Sequence, residues 1–257
     1  MTRFRAMPLL LLLACLTAAP AAAREVTLAV GRSLAPYVIL PEWRGIEYDV
    51  VRRAFELSGH TATPRSLPLA RVTKEFEGGG VDAAMTMSPN SGLKALYSEP
   101  YIAYRNYAIT LARRDLTITS AADLADKSVV AFQNASRFLG PEYKTAVERN
   151  PRYREEAHQV VQPTLLFRDR IDVVVADRNI FTWFANDPEV RGKTDTTQAV
   201  RFHPLFPPTE YRLAFRDAAL RDDFDRGLKQ LRDSGEYARI VASYARYLKE
   251  EQPGLSR

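Results

Sequence analysis

Cysteine and histidine are scarce in this sequence, and their scarcity excludes several kinds of site. The 257 residues include one cysteine, Cys15, which lies in an N-terminal segment that we expect to be removed. A mature chain without cysteine has no disulfide, no thiol nucleophile and no Cys-ligated metal. The three histidines show no His-x-x-x-His spacing, and the chain has neither a Gly-x-Ser-x-Gly nor a Gly-x-x-x-x-Gly-Lys motif. We therefore predict no catalytic residue, no metal and no cofactor.

Long runs of one residue type are also missing. Lys and Arg outnumber Asp and Glu by 36 to 31 and are spread along the chain, so no basic block predicts a nucleic-acid partner. The apolar run near the start, Leu9 to Leu13, is far shorter than the ~20 residues that span a bilayer. The composition is 46% hydrophobic, which is ordinary for a globular protein long enough to bury a large core.

The first 23 residues have the pattern of a cleaved signal peptide. Arg3 and Arg5 precede the apolar run, and Ala21-Ala22-Ala23 forms a small-residue cleavage site. This pattern predicts export with cleavage. A competing interpretation is a lipoprotein box at Leu12-Leu13-Ala14-Cys15, in which Cys15 carries a lipid. The short apolar stretch before Cys15 and the later site at Ala23 favour the cleaved, soluble form.

The first part of the mature chain alternates strand and helix patterns. The predicted elements are a strand at 25–31, a helix at 50–58 capped by Asp49, a strand at 61–66, a helix that starts at Pro68 and a strand at 81–86. This order implies right-handed crossovers and a mostly parallel sheet. In such sheets ligands bind beyond the carboxyl ends of the strands, so we expect a cleft there.

A second α/β unit follows the first. An extended segment at 104–112 leads out of the first unit, and the proline-rich segment 202–208 leads back to it. Between them, apolar patterns predict strands at 128–132, 158–161 and 171–176. We therefore predict an α/β fold of two lobes, each a mostly parallel sheet flanked by helices, with two crossing hinge strands. Lobe 1 comprises residues 24–108 and 205–257, and lobe 2 comprises residues 109–204.

Residues at the strand ends are the first candidates for a binding site. Thr86 and Ser88 end a buried strand, where a hydroxyl can bond a ligand or, alternatively, the loop backbone. Asp177 ends the apolar strand of the second unit, and a carboxylate there must be paired or solvated. It can also cap the helix that follows. We expect Thr86 and Asp177 to face each other across the cleft.

Other candidates lie in the loops around the same cleft. Arg71 is near a helix start, where its guanidinium can hold a carboxylate or phosphate, although a solvated surface position is equally consistent. The loop 133–136, which includes Gln133 and Ser136, opens a helix whose backbone N–H groups suit an anion, or is an ordinary connection. The candidates for the cleft wall, or alternatively for core packing, are Tyr37, Glu47 and Tyr104.

Several short motifs occur in an order that resembles one bacterial family. They are Gly45-Ile46-Glu47-Tyr48-Asp49, Gly80-Val81-Asp82-Ala83, Ser98-Glu99-Pro100-Tyr101, Ala122-Asp123-Leu124, Asp172-Val173-Val174-Val175-Ala176-Asp177 and Leu231-Arg232-Asp233-Ser234-Gly235. Together they resemble the extracellular solute-binding proteins of family 3, the amino-acid-binding components of ABC importers. The resemblance implies a periplasmic clamp that closes on a small ligand and presents it to a membrane permease. It also implies that Asp177 pairs with a ligand ammonium group.

The chain departs from this family at one place that matters for ligand binding. Amino-acid binders carry Thr-x-Glu-Arg after the Thr-rich loop, and that arginine holds the ligand α-carboxylate. Here the run is Ser88-Pro89-Asn90-Ser91-Gly92, without arginine. Pro68-Leu69-Ala70-Arg71 resembles a helix start found in divergent members, which makes Arg71 a candidate. The loop 133–136 resembles the family's Gln-Gly-Thr-Thr loop, with Asn134 in place of glycine.

The predicted function is capture of a small polar ligand, an amino acid or a related carboxylate or amine, by a monomer that leaves it unaltered. Two other functions stay open. The same clamp can serve as a ligand sensor for a receptor or kinase ectodomain. The second is an enzyme similar to the cyclohexadienyl dehydratases, with Glu47, Glu99 and Asp177 as candidate acids and bases. The absence of catalytic motifs favours binding over catalysis.

Overall fold

The structure is a computed structural model that describes residues 23–32 and 34–249. The segment 1–22, which carries most of the predicted signal peptide and Cys15, lies outside the described residues, as does the chain after Lys249. Within the described residues, no helix combines the length and the apolar character that a membrane crossing requires.

The helices and strands follow the alternation that the sequence predicts. The strands are β1 (Glu25–Gly31), β2 (Thr61–Leu67), β3 (Ala83–Met87), β4 (Leu96–Tyr97), β5 (Ile102–Tyr104), β6 (Asn106–Leu111), β7 (Val129–Phe132), β8 (Tyr153–Glu156), β9 (Val173–Asp177), β10 (Val200–His203) and β11 (Thr209–Phe215). The α-helices are α1 (Ile46–Leu57), α2 (Leu69–Glu77), α3 (Ala135–Phe138), α4 (Pro141–Glu148), α5 (Val161–Phe167), α6 (Arg178–Ala185), α7 (Pro188–Arg191), α8 (Ala218–Asp233) and α9 (Glu236–Lys249).

The first sheet has the strand order β2-β1-β3-β11-β4, with β5 also paired to β11. Strand β1 runs parallel to β2 and β3, whereas β11 runs antiparallel to β3. Leu28 packs with the residues of α1 and α8 on one face, and its neighbour Ala29 packs with Val72 and Phe76 of α2 on the other. Both faces are therefore covered, as a largely parallel sheet requires.

The second sheet has the order β10-β6-β9-β7-β8. Strand β7 runs parallel to β8 and β9, and β6 runs antiparallel to β9 and β10. Val174 packs with Leu166 and Phe181 on one face, and Val175 packs with Tyr143 on the other. The apolar run at 171–176 is thus a central strand buried on both faces, which is why it lacks the alternation of an exposed strand.

The chain passes between the sheets twice. Arg105 separates β5 of the first sheet from β6 of the second, and residues 204–208 separate β10 from β11. The extended segment predicted at 104–112 therefore contains the first crossing at its start. The limits predicted for the two lobes stay a prediction.

Helices α1 and α8 approach each other closely on the first sheet. At Gly227 of α8 a Cβ atom would lie 2.0 Å from the backbone oxygen of Ala54 in α1. A side chain of any size at this position would force the two helices apart. Glycine is thus the residue that permits this helix packing.

Two local predictions were wrong. The predicted strand at 158–161 is instead a turn followed by the start of α5, and the strand β8 lies earlier, at Tyr153–Glu156. Asp49 does not cap α1, because the helix begins three residues before it, at Ile46, and is preceded by Gly45. The Asp49 carboxylate instead accepts a hydrogen bond from the hydroxyl of Tyr244 in α9 at 2.5 Å.

Candidate functional site

A small cavity lies between the two sheets. Its volume is ≈ 30 Å³, which leaves room for about one or two water molecules. Its lining includes Leu34, Thr86 and Tyr104 from the first part of the chain, and Asn106, Phe132 and Asp177 from the second sheet and its strand ends. The carboxyl ends of β3 and β9 both contribute a residue, so the cavity occupies the position predicted for the cleft.

Glu47, at the second position of α1, is fully buried beside this cavity. Its Oε1 accepts hydrogen bonds from the hydroxyl of Thr86 at 2.8 Å and from the hydroxyl of Tyr101. Its Oε2 accepts a hydrogen bond from the hydroxyl of Tyr104. Burial raises the pKa of Glu47, while the three hydroxyl donors oppose that rise. This carboxyl group therefore organises the wall of the cavity.

Thr86 has a backbone conformation that is rare for its residue type. Its φ is 60°, in the left-handed region that β-branched residues seldom adopt. Its backbone N–H donates to the hydroxyl of Tyr101 at 2.9 Å, while its side chain donates to Glu47. The two bonds hold the conformation, and such strain is typical of functional sites.

Asp177 is 2% exposed at the end of β9. Its Oδ1 accepts hydrogen bonds from the backbone N–H groups of Asn179 and Ile180, so the carboxylate caps α6. Its Oδ2 accepts from the backbone N–H of Arg105 at 2.8 Å and from the hydroxyl of Tyr37 at 3.2 Å. Burial raises the pKa of Asp177 to about 6, although these four donors act in the opposite direction.

Tyr37 connects the loop after β1 to the second sheet. Its ring stacks on Tyr104 with 3.9 Å between centroids, and its hydroxyl accepts a hydrogen bond from Asn179 Nδ2 at 3.0 Å. The loop is held against α1, because the backbone oxygen of Tyr37 accepts from the N–H of Glu47 at 3.0 Å. At Gly45 a Cβ atom would lie 2.3 Å from the same oxygen, so only glycine fits there.

Five of the predicted site residues form one connected group. Tyr104 and Thr86 bond to Glu47, Tyr104 stacks on Tyr37, and Tyr37 bonds to Asp177. The helix cap that the sequence allowed for Asp177 is present in addition to its position on the cavity. Thr86 and Asp177 both line the cavity, as the facing arrangement requires.

The other four predicted residues are placed differently. Gln133 lines the cavity, and its Oε1 accepts a bond from the backbone N–H of Ala70 at 3.3 Å. Ser88 is buried but is not among the lining residues, and Arg71 is exposed and also outside the lining. The hydroxyl of Ser136 donates to a neighbouring glutamate. The ligand contacts of these four residues stay a prediction.

That glutamate is Glu155 of β8, which sequence reasoning missed. It receives hydrogen bonds from the backbone N–H groups of Asn134 at 2.6 Å and Ser136 at 2.9 Å. Asn134 has a φ of 67°, in the left-handed region, at the turn where a family member carries glycine. The N–H groups of Asn134 and Ser136 thus bond to a carboxylate of the protein itself.

Several other lining residues also escaped prediction. Asn106 is 3% exposed, and its Nδ2 has no hydrogen-bond partner among the described residues. Arg32 donates its Nε to the hydroxyl of Ser66 at 3.0 Å. The remaining lining residues that the sequence did not identify include Phe132, Phe138, Glu156 and Tyr211. The position of Asn106 directly after the crossing is a signal that could have identified it.

The described residues contain no group of three or more His, Cys, Asp or Glu side chains that could hold a metal ion. The cavity is lined by two carboxylates, by hydrogen-bonding side chains and by aromatic rings. Such a set can bind a small polar molecule by direct contacts.

Two sheets, each flanked by helices and joined by two crossings around a cleft, define a type II periplasmic-binding-protein fold, which confirms the predicted fold class. The chain belongs to the bacterial extracellular solute-binding proteins, family 3, whose model matches residues 26–247. The resemblance inferred from the sequence motifs is thereby confirmed. No curated protein matches this sequence.

Solved structures with this fold come from proteins with different roles. The amino acid ABC transporter substrate-binding protein AbpA from Streptococcus pneumoniae, bound to L-arginine, is 17% identical with a TM-score of 0.66, covering 88% of this chain and 97% of its own. A histidine kinase sensor domain with similarity to periplasmic binding proteins is 18% identical with a TM-score of 0.71, covering 86% and 96%. The ancestral amino acid-binding protein AncCDT-1, a precursor of cyclohexadienyl dehydratase, is 18% identical with a TM-score of 0.65, covering 88% and 95%. At this identity the likeness shows the fold alone.

Proposed function

We propose that this protein captures a small polar ligand, an amino acid or a related carboxylate or amine, between its two lobes for an ABC importer. The observation that carries the proposal is the cavity between the sheets, to which both lobes contribute polar groups, with Asp177 buried in its wall. Membership of an extracellular solute-binding family supports the same conclusion. Export with cleavage after Ala23, a periplasmic location and a monomeric state belong to this proposal.

The mechanism follows from contacts that cross the cleft. The hydroxyl of Tyr37 bonds to Asp177, and the backbone of Ala70 bonds to Gln133, so both contacts join the first lobe to the second. A ligand docks on one lobe while the lobes are apart. Its bonds to the other lobe then stabilise the closed state, which the permease recognises.

A thermal-shift screen of the mature protein against amino acids, amines, organic acids and opines tests the proposal. A ligand at 100 times its dissociation constant adds about 2.7 kcal/mol of stability. The hit is then incubated with the protein and followed by NMR, where an unchanged spectrum is expected. Conversion of the ligand would instead support an enzyme, and cellular uptake of the hit that is unchanged when the protein is deleted would support a sensor.

A pair of variants locates the site. Asp177→Asn keeps the helix cap but removes the charge, and we expect it to weaken binding of an ammonium ligand by at least about tenfold. Asp187→Asn is the matched control, because Asp187 caps α7 through the N–H of Glu189 and is not among the cavity-lining residues. Equal affinity in both variants would show that the ligand binds elsewhere. Arg71→Ala is measured beside them: because this side chain is exposed and outside the lining, a change of less than about twofold would withdraw Arg71 from the predicted site.

A further inference from the structure

The anion-binding groups of the second lobe are occupied by Glu155. Its Oε2 accepts from the N–H of Asn134, and its Oε1 accepts from the N–H of Ser136, from the Ser136 hydroxyl at 2.7 Å and from the Tyr153 hydroxyl at 2.8 Å. Four donors thus bind one carboxylate. Gln133, the first residue of this loop, lines the cavity, so Glu155 occupies the N–H donors of a loop that begins in the cavity wall.

In the first lobe, the backbone N–H and the hydroxyl of Thr86 are also bonded to other groups of the protein. The N–H of Thr86 donates to Tyr101, and the hydroxyl of Thr86 donates to Glu47. The run that follows, 88–92, contains no cation. Thr86 therefore offers a ligand carboxylate no spare donor, and neither of the segments 86–92 and 133–136 contains a lysine or an arginine.

The remaining lining favours positive charge. Asp177 and Glu156 are the lining carboxylates, and the described lining includes one cation, Arg32. Arg32 is exposed, and its Nε and Nη2 donate to the side chain and backbone of Ser66. Aromatic rings complete the wall, and an ammonium group is attracted to ring faces as well as to carboxylates. The lining rings are Tyr104, Phe132, Phe138 and Tyr211.

Asn106 supplies an independent sign of a polar ligand. Its side chain is buried in the cavity wall, its Nδ2 has no partner among the described residues, and the sheet register places it opposite Asp177. A buried amide group without a partner is costly, so a ligand group is expected to satisfy it. As placed, Nδ2 donates to a ligand acceptor such as a hydroxyl; rotated by 180°, the amide presents its oxygen to an ammonium group beside Asp177.

We propose that Glu155 takes the place of a ligand carboxylate and that the cleft selects organic amines that lack an α-carboxylate. This inference rests on the proposed function, since it assumes that the cleft is the ligand site. A ligand ammonium gains Asp177, Glu156 and the ring faces as partners. A ligand carboxylate in the same place finds its donors taken and faces like charges, which is how a site rejects a competitor.

The test compares amino acids with the amines that differ from them only by the carboxylate. The pairs are lysine and cadaverine, ornithine and putrescine, arginine and agmatine, and phenylalanine and phenethylamine. Isothermal titration calorimetry on the mature protein is expected to show at least one amine that binds at least about tenfold more tightly than its amino acid. If, in every pair that binds, the amino acid binds at least as tightly as the amine, the inference is overturned while the proposed function stands. The ligand carboxylate would then have a partner in the cleft, such as Arg32. If no member of the panel or of the wider screen binds, the proposed function fails and the inference fails with it.

Glu155→Gln tests the role of the internal carboxylate directly. The amide has nearly the same shape but no charge, so we expect the preference for the amine over its amino acid to fall by at least about threefold. Glu142→Gln is the control, because Glu142 is an exposed acid of the same lobe. A preference that is equal in both variants would exclude Glu155 as its source. The comparison of pairs in the unmodified protein gives a result even if Glu155→Gln does not fold.

Discussion

Two buried carboxyl groups near the cleft, those of Glu47 and Asp177, have no ion-pair partner in the described part of the chain. The donors to Glu47 described above are hydroxyl groups, and the donors to Asp177 are three backbone N–H groups and a phenol. Hydrogen bonds of this kind lower the cost of a buried carboxylate but do not remove it. A ligand cation would therefore add the partner that the protein itself does not provide to Asp177.

The buried state of Asp177 predicts a pH dependence of stability. Its pKa is raised from 3.8 to about 6 by burial, so the folded protein binds this proton more tightly than the unfolded chain does. The resulting contribution is fully present below pH 4 and is lost as the pH rises through about 6, with a loss of about 3 kcal/mol. The Asp177→Asn variant has no titratable group at this position and serves as the reference.

Urea unfolding of both proteins between pH 4 and 7 checks this expectation. The free energy of unfolding of the unmodified protein should fall relative to that of Asp177→Asn across the interval from 4 to 6. A constant difference between the two proteins would show that the pKa of Asp177 is ordinary in the folded state. The difference between the variants isolates Asp177 from the other carboxyl groups, which titrate in both.

Two helices of the first lobe, α1 and α8, pack through a close backbone contact. Helices α1 and α8 meet at Gly227, where backbone atoms occupy the space of a side chain. Helix α1 also provides Glu47 to the cavity, so its position on the sheet determines where the buried carboxyl group lies. The helix contact and the site are therefore linked through α1.

Gly227→Ala should destabilise the first lobe. The added methyl group would lie 2.0 Å from the backbone oxygen of Ala54, and overpacking of this kind costs about 1–3 kcal/mol. Gly192→Ala is the control, since its Cβ would lie 3.3 Å from the nearest atom and Gly192 has an ordinary helical φ of −71°. Thermal unfolding compares the two. Equal melting temperatures would contradict the close contact between α1 and α8.

The sequence predicts the central elements well and the edge of the second sheet poorly. Strands such as β1 and β9 are apolar because they are buried, so their residues identify them. Strand β8 is Tyr-Arg-Glu-Glu at the edge of the sheet, where polar side chains meet solvent and no apolar pattern is required. Because the sequence did not predict β8, it did not identify Glu155, which lies in that strand. Thr86, Asp177, Glu47 and Tyr104 could be found because they lie at strand ends or in motifs, and Tyr37 because it is an aromatic residue of a predicted loop. The position of Asn106 after the crossing was a signal that went unused, whereas the role of Arg32 depends on the meeting of distant segments.

The molecule as a whole has two lobes in contact. The bonds from Tyr37 to Asp177 and from Ala70 to Gln133 both cross the cleft. Apolar contacts join the lobes as well, because Ile180 and Phe184 of α6 belong to the same buried cluster as Tyr37 and Tyr104. The balance between open and closed states therefore depends on polar and apolar contacts together.

Tyr37→Phe should shift this balance toward the open state. The variant keeps the ring stack on Tyr104 but loses the bonds to Asp177 and Asn179, worth about 1 kcal/mol each. Small-angle X-ray scattering of the ligand-free protein should show a larger radius of gyration. Tyr97→Phe is the control, because the hydroxyl of Tyr97 bonds to Leu93 within the first lobe. An increase in both variants, or in neither, would contradict a closing role for Tyr37.

The volume of the cavity has a consequence for ligand entry and release. Sites for small molecules usually enclose about 300–1,000 Å³, whereas the space between these lobes is ≈ 30 Å³. An amino acid is larger than this space. Under the proposed function, the lobes must therefore move apart before a ligand binds and again before it is released.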